Sequence, residues 1–501
     1  MNALLVAVAA PLAFALVAFA TPSERVRPWL LPAAALCQLP LVGFLLASAG
    51  TPAAGDWIGL DPLGALLLGY LSVLFACCAF YAPPYLRLRR ERPNRVFCTM
   101  LLVFFAMMNF FLVSQHVGLM WVTIEAMALC AGPLLYFNRN RRSIEATWKY
   151  LLIGSVGIAL ALLGSFFLGY SALHAGLESS LVLGDVTLHA AGLSKPWLHA
   201  AFVLLLIGYG TKMGLAPMHT WKPDAYGEAP GLVGALLAGG ATSCAFVGVL
   251  RFYSVCVAAG DGAFARELML GFGLLSMAVG GVFMVRQRDY KRMLAYSSVE
   301  HMGILVLGAA IGGAGLFGAL LHVLGNGFAK GVLFLSAANI HRAFGSKSTD
   351  DVRGALRVVP ASATLFLLGF LAATGAPPFG PFLSEFTILR AAVADDRFGV
   401  AGAFLALLLL VFIGMGATVL AVVQGDPPDP ERDAGRGRPD LEPGRGRPDL
   451  APGRARPGGE RLQKLAPIAV LLVLVLLLGV WVPEPLATAL WSAARFVEGS
   501  P

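Results

Sequence analysis

Long apolar runs separated by short polar segments make up most of this chain of 501 residues. Many runs exceed about 18 residues, the length at which an apolar helix can cross the hydrocarbon core of a bilayer. The pattern therefore predicts an all-α polytopic membrane protein with about fourteen transmembrane helices. The predicted spans are 2–20, 29–48, 62–81, 97–115, 117–137, 146–170, 198–217, 230–250, 267–285, 292–311, 314–340, 358–391, 398–423 and 462–482.

Two of these helices are interrupted near ionisable residues. The seventh span ends in Gly214 and Pro217, and the twelfth contains the segment GAPPFGP, which begins at Gly375. Proline breaks a helix, and non-helical backbone at membrane depth is tolerated only inside protein or beside water. The interruptions lie five spans apart. This favours two inverted five-helix repeats, because an odd number of spans reverses the direction of the second unit.

The repeats divide the chain into five predicted regions. Residues 1–96 hold the first three helices, 97–255 form the first repeat and 256–424 form the second. Residues 425–461 contain a nine-residue repeat rich in Gly, Arg and Pro. This composition predicts a disordered cytoplasmic loop, because it lacks the apolar residues that build a core. Residues 462–501 hold the last helix and a short outer tail.

Composition supports a membrane protein and narrows its chemistry. Hydrophobic residues make up 57% of the chain and charged residues 13%, with a net charge of +8 and a mean hydropathy of +0.75. Seven cysteines are scattered through apolar runs without a CxxC pair, which argues against zinc and iron–sulfur sites. We therefore expect no metal and no other cofactor. Membrane topology explains the positive charge better than nucleic acid does, so no nucleic-acid partner is expected.

The distribution of positive charge predicts the orientation. No Lys or Arg precedes the first apolar run, so this run fits a membrane helix better than a signal peptide. With the N-terminus outside, most of the 37 Lys and Arg residues fall in cytoplasmic loops, as the positive-inside rule requires. Those in outer loops are Lys195, Arg251, Arg266, Arg390, Arg397 and Arg495. Both termini are therefore expected on the outer side of a bacterial cytoplasmic (inner) membrane.

The first repeat carries the first candidate site. Lys212 lies in an apolar helix, and His219 and Asp224 follow in the turn after its interruption. A charge at bilayer depth costs at least about 2.5–3.5 kcal/mol, so such residues usually belong to an ion or proton path. Glu125, halfway along the fifth span, is a second candidate, with a structural ion pair as the alternative. Lys149, at the start of the sixth span, is a third, with snorkelling to the membrane surface as the alternative.

The second repeat carries a polar stripe and a further acid. His322, Asn326 and Lys330 are spaced four residues apart, so they share one face of a helix. A proton wire needs such a stripe, because water can bridge side chains one turn apart. A core histidine would explain His322 alone but not the whole stripe. Glu385 follows just after the second interruption.

Several stretches resemble the antiporter-like proton-pumping subunits of respiratory complex I, Mrp cation/proton antiporters and membrane-bound hydrogenases. The resemblance covers about residues 60–423. The matching stretches are WVTIEAM with Glu125, PMHTWKPDAYGEAP after Lys212, RQRDYKRMLAYSSVEHMGIL with Glu300 and His301, the helix with His322 and Lys330, and FLSEF with Glu385. The VEHMG and EATWKYLL segments look most like the F-type membrane subunit of hydrogenase-4 and formate hydrogenlyase complexes.

The resemblance implies a fourteen-helix proton-translocating module without redox centres. Glu125 and Lys212 would form the charge pair of the first half-channel. Lys330 would be the central relay, with His322 beside it, and Glu385 would be the exit-side group.

Other positions match the family or depart from it. Lys149 matches a family lysine, Asp61 in GLDPLG matches an acidic position on the outer side, and His301 is a further candidate. The eighth span, GLVGALLAGGATSCAFVGVL, holds no titratable group stronger than Cys244, where many relatives carry His or Lys. Lys222 replaces the usual leucine of the WLPDA motif.

We interpret the chain as a proton-translocating subunit of a respiratory or hydrogenase-type complex, and not as a catalyst itself. If Glu125 approaches and recedes from Lys212, the lysine alternately holds and releases a proton, because a carboxylate favours the ammonium form and burial disfavours it. The driving motion must come from partners. These would be other membrane subunits and a soluble redox module, such as a nickel–iron hydrogenase, or another module.

Two other functions remain open. A stand-alone cation/proton antiporter would use Glu125 and Glu385 as sodium ligands, and it predicts sodium-dependent transport by vesicles that contain only this chain. A passive membrane anchor of a hydrogenase or of an inorganic-carbon uptake complex predicts that alanine at Glu125 disturbs assembly but not energy coupling.

Overall fold

A computed structural model describes residues 2–48, 56–89, 91–177, 181–427 and 460–499. Most of the predicted loop 425–461, with its repeat, lies outside the described residues. Within them the chain is helical, and β-structure is limited to three isolated bridges. The helices are α1 (Asn2–Ala20), α2 (Leu30–Ser48), α3 (Pro62–Leu86), α4 (Arg95–Val113), α5 (Val117–Leu135), α6 (Arg141–His174), α7 (Leu183–Leu188), α8 (Lys195–Met213), α9 (Lys222–Glu228), α10 (Gly231–Leu236), α11 (Thr242–Ala258), α12 (Gly262–Met284), α13 (Tyr290–Ile311), α14 (Ala314–Phe344), α15 (Ala355–Val358), α16 (Pro360–Ala373), α17 (Gly380–Ala394), α18 (Phe398–Val423), α19 (Leu462–Val480) and α20 (Glu484–Glu498).

Eleven helices in the described part of the chain are long and apolar enough to cross a membrane. They are α2 to α6, the continuous α10–α11, α12 to α14, α18 and α19. The prediction of a multi-pass, nearly all-helical membrane protein is thereby confirmed. The other three predicted spans fall on α1, on α8 and on the broken pair α16–α17, and the count of fourteen stays a prediction.

Side-chain caps explain where several of the helices begin. Asp61 accepts a hydrogen bond from Gly64 N at 2.6 Å, and Pro62 follows it at the first helical position of α3. Asn140 and Ser143 form a reciprocal capping box at α6. At α13 the Asp289 side chain accepts hydrogen bonds from Lys291 N and Arg292 N. Such caps satisfy N–H groups that have no partner within the helix.

The core of the molecule runs along α10–α11, α13 and α14. Between 94% and 100% of the membrane-crossing window of these helices is buried inside the protein, compared with 28% for α19. A helix that is apolar on all sides and fully enclosed by other helices sees no lipid. Polar groups on α13 and α14 therefore lie inside protein, which is the setting in which a membrane protein can hold ionisable side chains.

Helices α8 and α16 end in the same way. Gly214 and Gly375 follow them with φ of +79° and +64°, a region that favours glycine. The N–H of the residue after each glycine bonds to the carbonyl five residues earlier, Gly210 O at 2.8 Å and Leu371 O at 2.9 Å. Both ends are Schellman motifs, and the chain resumes as α9 and α17.

The structure differs from the sequence prediction in two elements. The eighth span is not a regular helix, because Leu237–Ala241 forms a π-helical turn between α10 and α11. The segment beyond the last span was expected to be only a short outer tail, but it forms the 15-residue helix α20. Its buried residues Leu490, Ala493, Ala494 and Val497 follow the helical spacing of an apolar face.

Candidate functional site

The first charge pair joins helices α5 and α8. Lys212 Nζ donates to Glu125 Oε2 at 2.8 Å, and the two side chains are 7% and 19% exposed. Ser155 Oγ on α6 lies 3.3 Å from Glu125 Oε1. Gly154 leaves room for the ammonium group, because a Cβ there would lie 3.1 Å from Lys212 Nζ. The sequence predicted both members, and the structure brings them into contact.

The interruption after α8 is held by hydrogen bonds from its surroundings. Trp221 Nε1 donates to Thr211 O at 2.9 Å, and Ala216 N donates to Ser276 Oγ on α12 at 3.0 Å. These bonds satisfy backbone groups that the break leaves without helical partners. His219, a predicted site residue, lies in this turn, and its Nδ1 has no hydrogen-bond partner among the described residues.

Lys149 belongs to a separate ionic network. Its Nζ lies 2.6 Å from Glu145 and 2.9 Å from Asp224, and its side chain is 44% exposed. Arg292 on α13 binds the other oxygen of Asp224 at 2.7 Å. The network ties α6, α9 and α13 together. The structure thus places Lys149 and Asp224 in a partly exposed cluster and not in contact with the Glu125–Lys212 pair.

Helix α14 carries the predicted stripe of His322, Asn326 and Lys330. All three side chains are buried. Lys330 Nζ donates to Ser297 Oγ on α13 at 2.5 Å, and no carboxylate among the described residues forms an ion pair with it. Asn326 Oδ1 has no hydrogen-bond partner among those residues.

A second buried cluster lies beside this stripe. His322 Nε2 and His301 Nδ1 are 3.0 Å apart, and His322 Nδ1 lies 2.8 Å from Ser384 Oγ on α17. Glu385 follows Ser384, and Glu300 precedes His301 on α13. Within the described chain, Glu385 Oε1, His301 Nε2 and both carboxylate oxygens of Glu300 lack hydrogen-bond partners. Buried polar atoms of this kind require water, an ion or a proton.

The same cluster offers ligand atoms for a metal. One atom each from His301, His322 and Glu385 lie within 4.8 Å of one another. However, both ring nitrogens of His322 already have partners in His301 and Ser384, so a metal would have to break one of these contacts. The positive charge of Lys330 on the same helix also opposes a cation. The geometry therefore suits proton exchange better than metal binding.

Asp61 takes part in a buried ion pair that the sequence did not predict. Arg251 Nε donates to Asp61 Oδ2 at 2.8 Å, and both side chains are 1% exposed. Arg251 also donates to the carbonyls of Leu112 and Ser114, at 2.7 and 3.0 Å. The sequence prediction put Arg251 in an outer loop, and this was wrong, because α11 continues past it to Ala258.

Sequence reasoning missed other residues of the site. Glu300 was noted as part of a family motif but not as a site residue, although an acid in a membrane-spanning stretch is itself a signal. Ser297 and Ser298 gave no such signal, because serines in membrane helices usually bond to their own backbone.

The fold and this site define a class of protein: a multi-pass membrane subunit with ionisable groups buried beside two broken helices. A family model described as NADH:quinone oxidoreductase/Mrp antiporter, transmembrane, matches residues 114–412. The chain belongs to this family and is an antiporter-like membrane subunit, which confirms the resemblance predicted from sequence.

Individual relatives agree with the family assignment. A hydrogenase-4 component F homolog of Methylacidiphilum infernorum (isolate V4) is 37% identical over 331 residues, which are 65% of this chain and 68% of the relative. NADH-quinone oxidoreductase subunit N of Desulforudis audaxviator (strain MP104C) is 32% identical over 345 residues, 68% of each chain. A chain of the Mrp complex from Dietzia sp. DQ12-45-1b has the same fold, with a TM-score of 0.83 over 99% of this chain and 97% of the other at 23% identity.

Proposed function

We propose that this chain relays protons through a bacterial cytoplasmic membrane as part of a larger complex. The route comprises the pair of Glu125 and Lys212, then Lys330, His322 and Glu385. The observation that carries the proposal is the enclosed cluster around His322, where buried acid and imidazole atoms lack hydrogen-bond partners among the described residues. Groups that exchange protons through water need unsatisfied donors and acceptors, whereas a purely structural network would be fully paired.

Lys212 and Lys330 differ in the group that contacts the side-chain nitrogen, and this difference sets how readily each lysine releases a proton. Lys212 has a carboxylate partner at 2.8 Å, which favours its ammonium form. Lys330 has a serine hydroxyl instead, which accepts a hydrogen bond from the ammonium group without neutralising its charge. A motion that separates Glu125 from Lys212 releases the proton of Lys212 toward Lys330, and from there it passes through His322 to Glu385.

The driving motion comes from outside this chain. We propose that other membrane subunits supply it, coupled to a soluble redox module of the nickel–iron hydrogenase type or to another module. The cluster of Lys149, Asp224 and Arg292, which joins three helices, is suited to transmit such a motion to α6. His219, in the turn after α8, and Asp61, in its buried pair with Arg251, are further candidate residues of the route.

We further propose the topology that the charge distribution favours. Fourteen helices cross the membrane, and both termini lie outside. Residues 97–255 and 256–424 form inverted repeats, flanked by helices in 1–96 and 462–501 and by the loop 425–461. The identical Schellman ends of α8 and α16 support the correspondence of the two units.

The test uses the complex purified through a tag on this chain and reconstituted into vesicles. A pH-sensitive dye reports proton translocation while the native partner reaction drives the complex. Glu125→Gln and Lys330→Met should lower translocation by about tenfold or more, since loss of a hydrogen bond to a charged group costs about 1.5–3 kcal/mol. Ser165→Ala on α6 and Ser336→Ala on α14 serve as controls that stay near the wild-type rate, because their hydroxyls bond to backbone carbonyls of their own helices.

The outcomes separate the proposal from its alternatives. Unchanged translocation in Glu125→Gln and Lys330→Met would contradict it and favour a passive anchor. Sodium-dependent transport by vesicles that contain this chain alone would favour a stand-alone antiporter.

A further inference from the structure

The two halves of the proposed route need a connection that the eighth span does not supply. Between Gly231 and Leu250 this span contains no Asp, Glu, Lys, Arg or His. The polar groups near its π-helical turn are hydroxyls, since Ser243 Oγ of the span and Tyr70 OH of α3 both donate to Gly239 O, at 2.6 and 2.8 Å. Hydroxyls can pass a proton, but they do not store one at neutral pH. A titratable group must therefore come from another element.

Lys222 is a buried lysine without a carboxylate partner among the described residues. It is the first residue of α9, and its side chain is fully buried. Its Nζ donates to Ser298 Oγ at 3.0 Å and to Ser298 O at 3.3 Å, and it lies 5.7 Å from the ring centre of Tyr226. A buried ammonium group without a carboxylate partner is costly. Lys222 can therefore lose its proton and become a neutral amine, as a proton carrier must.

The stem of Lys222 packs against the interruption of α8. A Cβ added at Gly214 would overlap its Cε and would lie 2.9 Å from Nζ. Gly214 is two residues from Lys212, so Lys222 sits at the end of the helix that carries the first charge pair. The second interruption repeats this arrangement, because a Cβ at Gly375 would overlap the carboxylate of Glu385.

The amine of Lys222 faces the second half of the route through helix α13. Its partner Ser298 is adjacent in sequence to Ser297, whose hydroxyl accepts the hydrogen bond of Lys330 at 2.5 Å. The two lysines therefore bind consecutive hydroxyl groups of one helix. The Cα atoms of neighbouring residues are about 3.8 Å apart, so both lysines contact the same turn of α13, where water can bridge the two hydroxyls.

We propose that Lys222 is the proton relay between the two halves, in the position that the eighth span leaves without a titratable group. This inference rests on the proposed function. The neutral amine of Lys222 takes the proton that Lys212 releases and becomes an ammonium. It then donates that proton through the Ser298 hydroxyl, intervening water and the Ser297 hydroxyl to the neutral amine of Lys330, and each hydroxyl or water on the way accepts one proton and gives up another. No oxidant or other reactant is consumed.

The test compares three substitutions in the reconstituted complex. Lys222→Leu removes the titratable group, and Lys222→Arg keeps a positive donor that does not release its proton. Both should lower translocation per partner turnover by about tenfold or more, with assembly retained. Ser298→Ala removes one hydroxyl and should lower it about threefold. Lys291→Met is the control that should keep the wild-type rate, because Lys291 is another buried lysine but donates to a backbone carbonyl, Ala229 O, at 2.7 Å.

The arginine variant distinguishes a relay from a structural cation. Wild-type translocation in Lys222→Arg, with loss only in Lys222→Leu, would overturn the inference, as would wild-type translocation in both. If Lys222→Leu fails to assemble, the Arg and Ser298→Ala variants decide the matter. In the same assay Lys330→Met reports on the proposed function separately. Loss in Lys330→Met together with no loss at Lys222 would reject the relay but keep the proton route.

Discussion

Three buried lysines of this protein differ in what their ammonium nitrogen contacts. Lys212 has a carboxylate, whereas Lys222 and Lys330 have serine hydroxyls on α13. A carboxylate stabilises the ammonium form of lysine, and a hydroxyl does so much less. At the scale of single residues, this difference is the basis of our proposal that Lys212 holds a proton and that Lys222 and Lys330 pass it on.

The ion pair of Lys347 and Glu228, outside the membrane-spanning helices, has a structural effect that depends on pH. Lys347 Nζ lies 2.5 Å from Glu228 Oε1, with both side chains less than 16% exposed. Burial alone would raise the pKa of Glu228, but the charge and hydrogen bond of Lys347, with smaller contributions from Lys291 and Asn140, hold the pKa below its ordinary value of 4.5. The ionised pair therefore stabilises the fold above pH 4.5 and is lost as the pH falls through the lowered pKa.

Glu228→Gln should consequently destabilise the protein in a pH-dependent way. We expect the free energy of unfolding to fall by about 1–3 kcal/mol at pH 7, and the difference from wild type to shrink as the pH falls below 4.5. The midpoint of thermal unfolding in detergent measures it. Glu267→Gln is the control, since that side chain is 73% exposed and should change stability by less than about 0.5 kcal/mol. An equal loss of stability at pH 7 and below pH 4.5 would contradict the assignment of this pH dependence to the Glu228–Lys347 pair.

At the scale of elements, the two helix interruptions bring ionisable side chains against glycine. Each break ends a helix with a positive-φ glycine and leaves the space where a Cβ would stand to a side chain from the following helix, that of Lys222 or Glu385. The glycine therefore has two tasks, to turn the chain and to admit the ionisable group. The proline-rich sequence after it keeps the helix from re-forming.

Gly375→Ala tests this double requirement. The added Cβ would overlap the carboxylate of Glu385, and an alanine at φ of +64° costs about 1–2 kcal/mol in the left-handed region. We expect assembled complexes with this variant to translocate protons about tenfold more slowly. Gly399→Ala, in α18, is the control, because nothing lies within 4 Å of its added Cβ. Normal translocation in Gly375→Ala would show that the position of Glu385 against this glycine is unimportant.

At the scale of the whole molecule, sequence patterns predict helices and their interruptions better than they predict which side chains meet in the folded protein. A charge in an apolar run and a proline-rich break are local signals, so Lys212, Lys330 and both interruptions were evident from the chain alone. Contacts between distant segments leave no such signal. Asp61 and Arg251 are 190 residues apart, and the arginine follows an apolar run closely enough to look like a loop residue.

The hydrogen bonds between the buried lysines and the serines of α13 could not be predicted from the sequence either. Ser297 and Ser298 became part of the site only because α13 packs between α9 and α14 and turns these two hydroxyls toward Lys330 and Lys222. The π-helical turn in the eighth span was also unpredictable, since it depends on how α10 and α11 pack against α3 and α14.

The proposed orientation gives a prediction for the molecule as a whole. One helix, α19, separates the loop 425–461 from the C-terminal helix α20. With its 19 residues, α19 is just long enough to cross the hydrocarbon core at about 1.5 Å per residue. A reporter placed in the loop and one fused after Pro501 must therefore lie on opposite sides of the membrane.

The positive-inside rule decides which side each reporter reaches. The loop is rich in Arg, and Arg-rich segments close to a membrane helix remain in the cytoplasm. We expect a protease site inserted at residue 445 to be cut only after the vesicles or cells are opened, and a tag after Pro501 to be cut from outside intact spheroplasts. The reverse result would invert every loop of the proposed topology. Cutting of both sites from one side would show that α19 does not span the membrane, and with it the proposed fourteen-helix count would be lost.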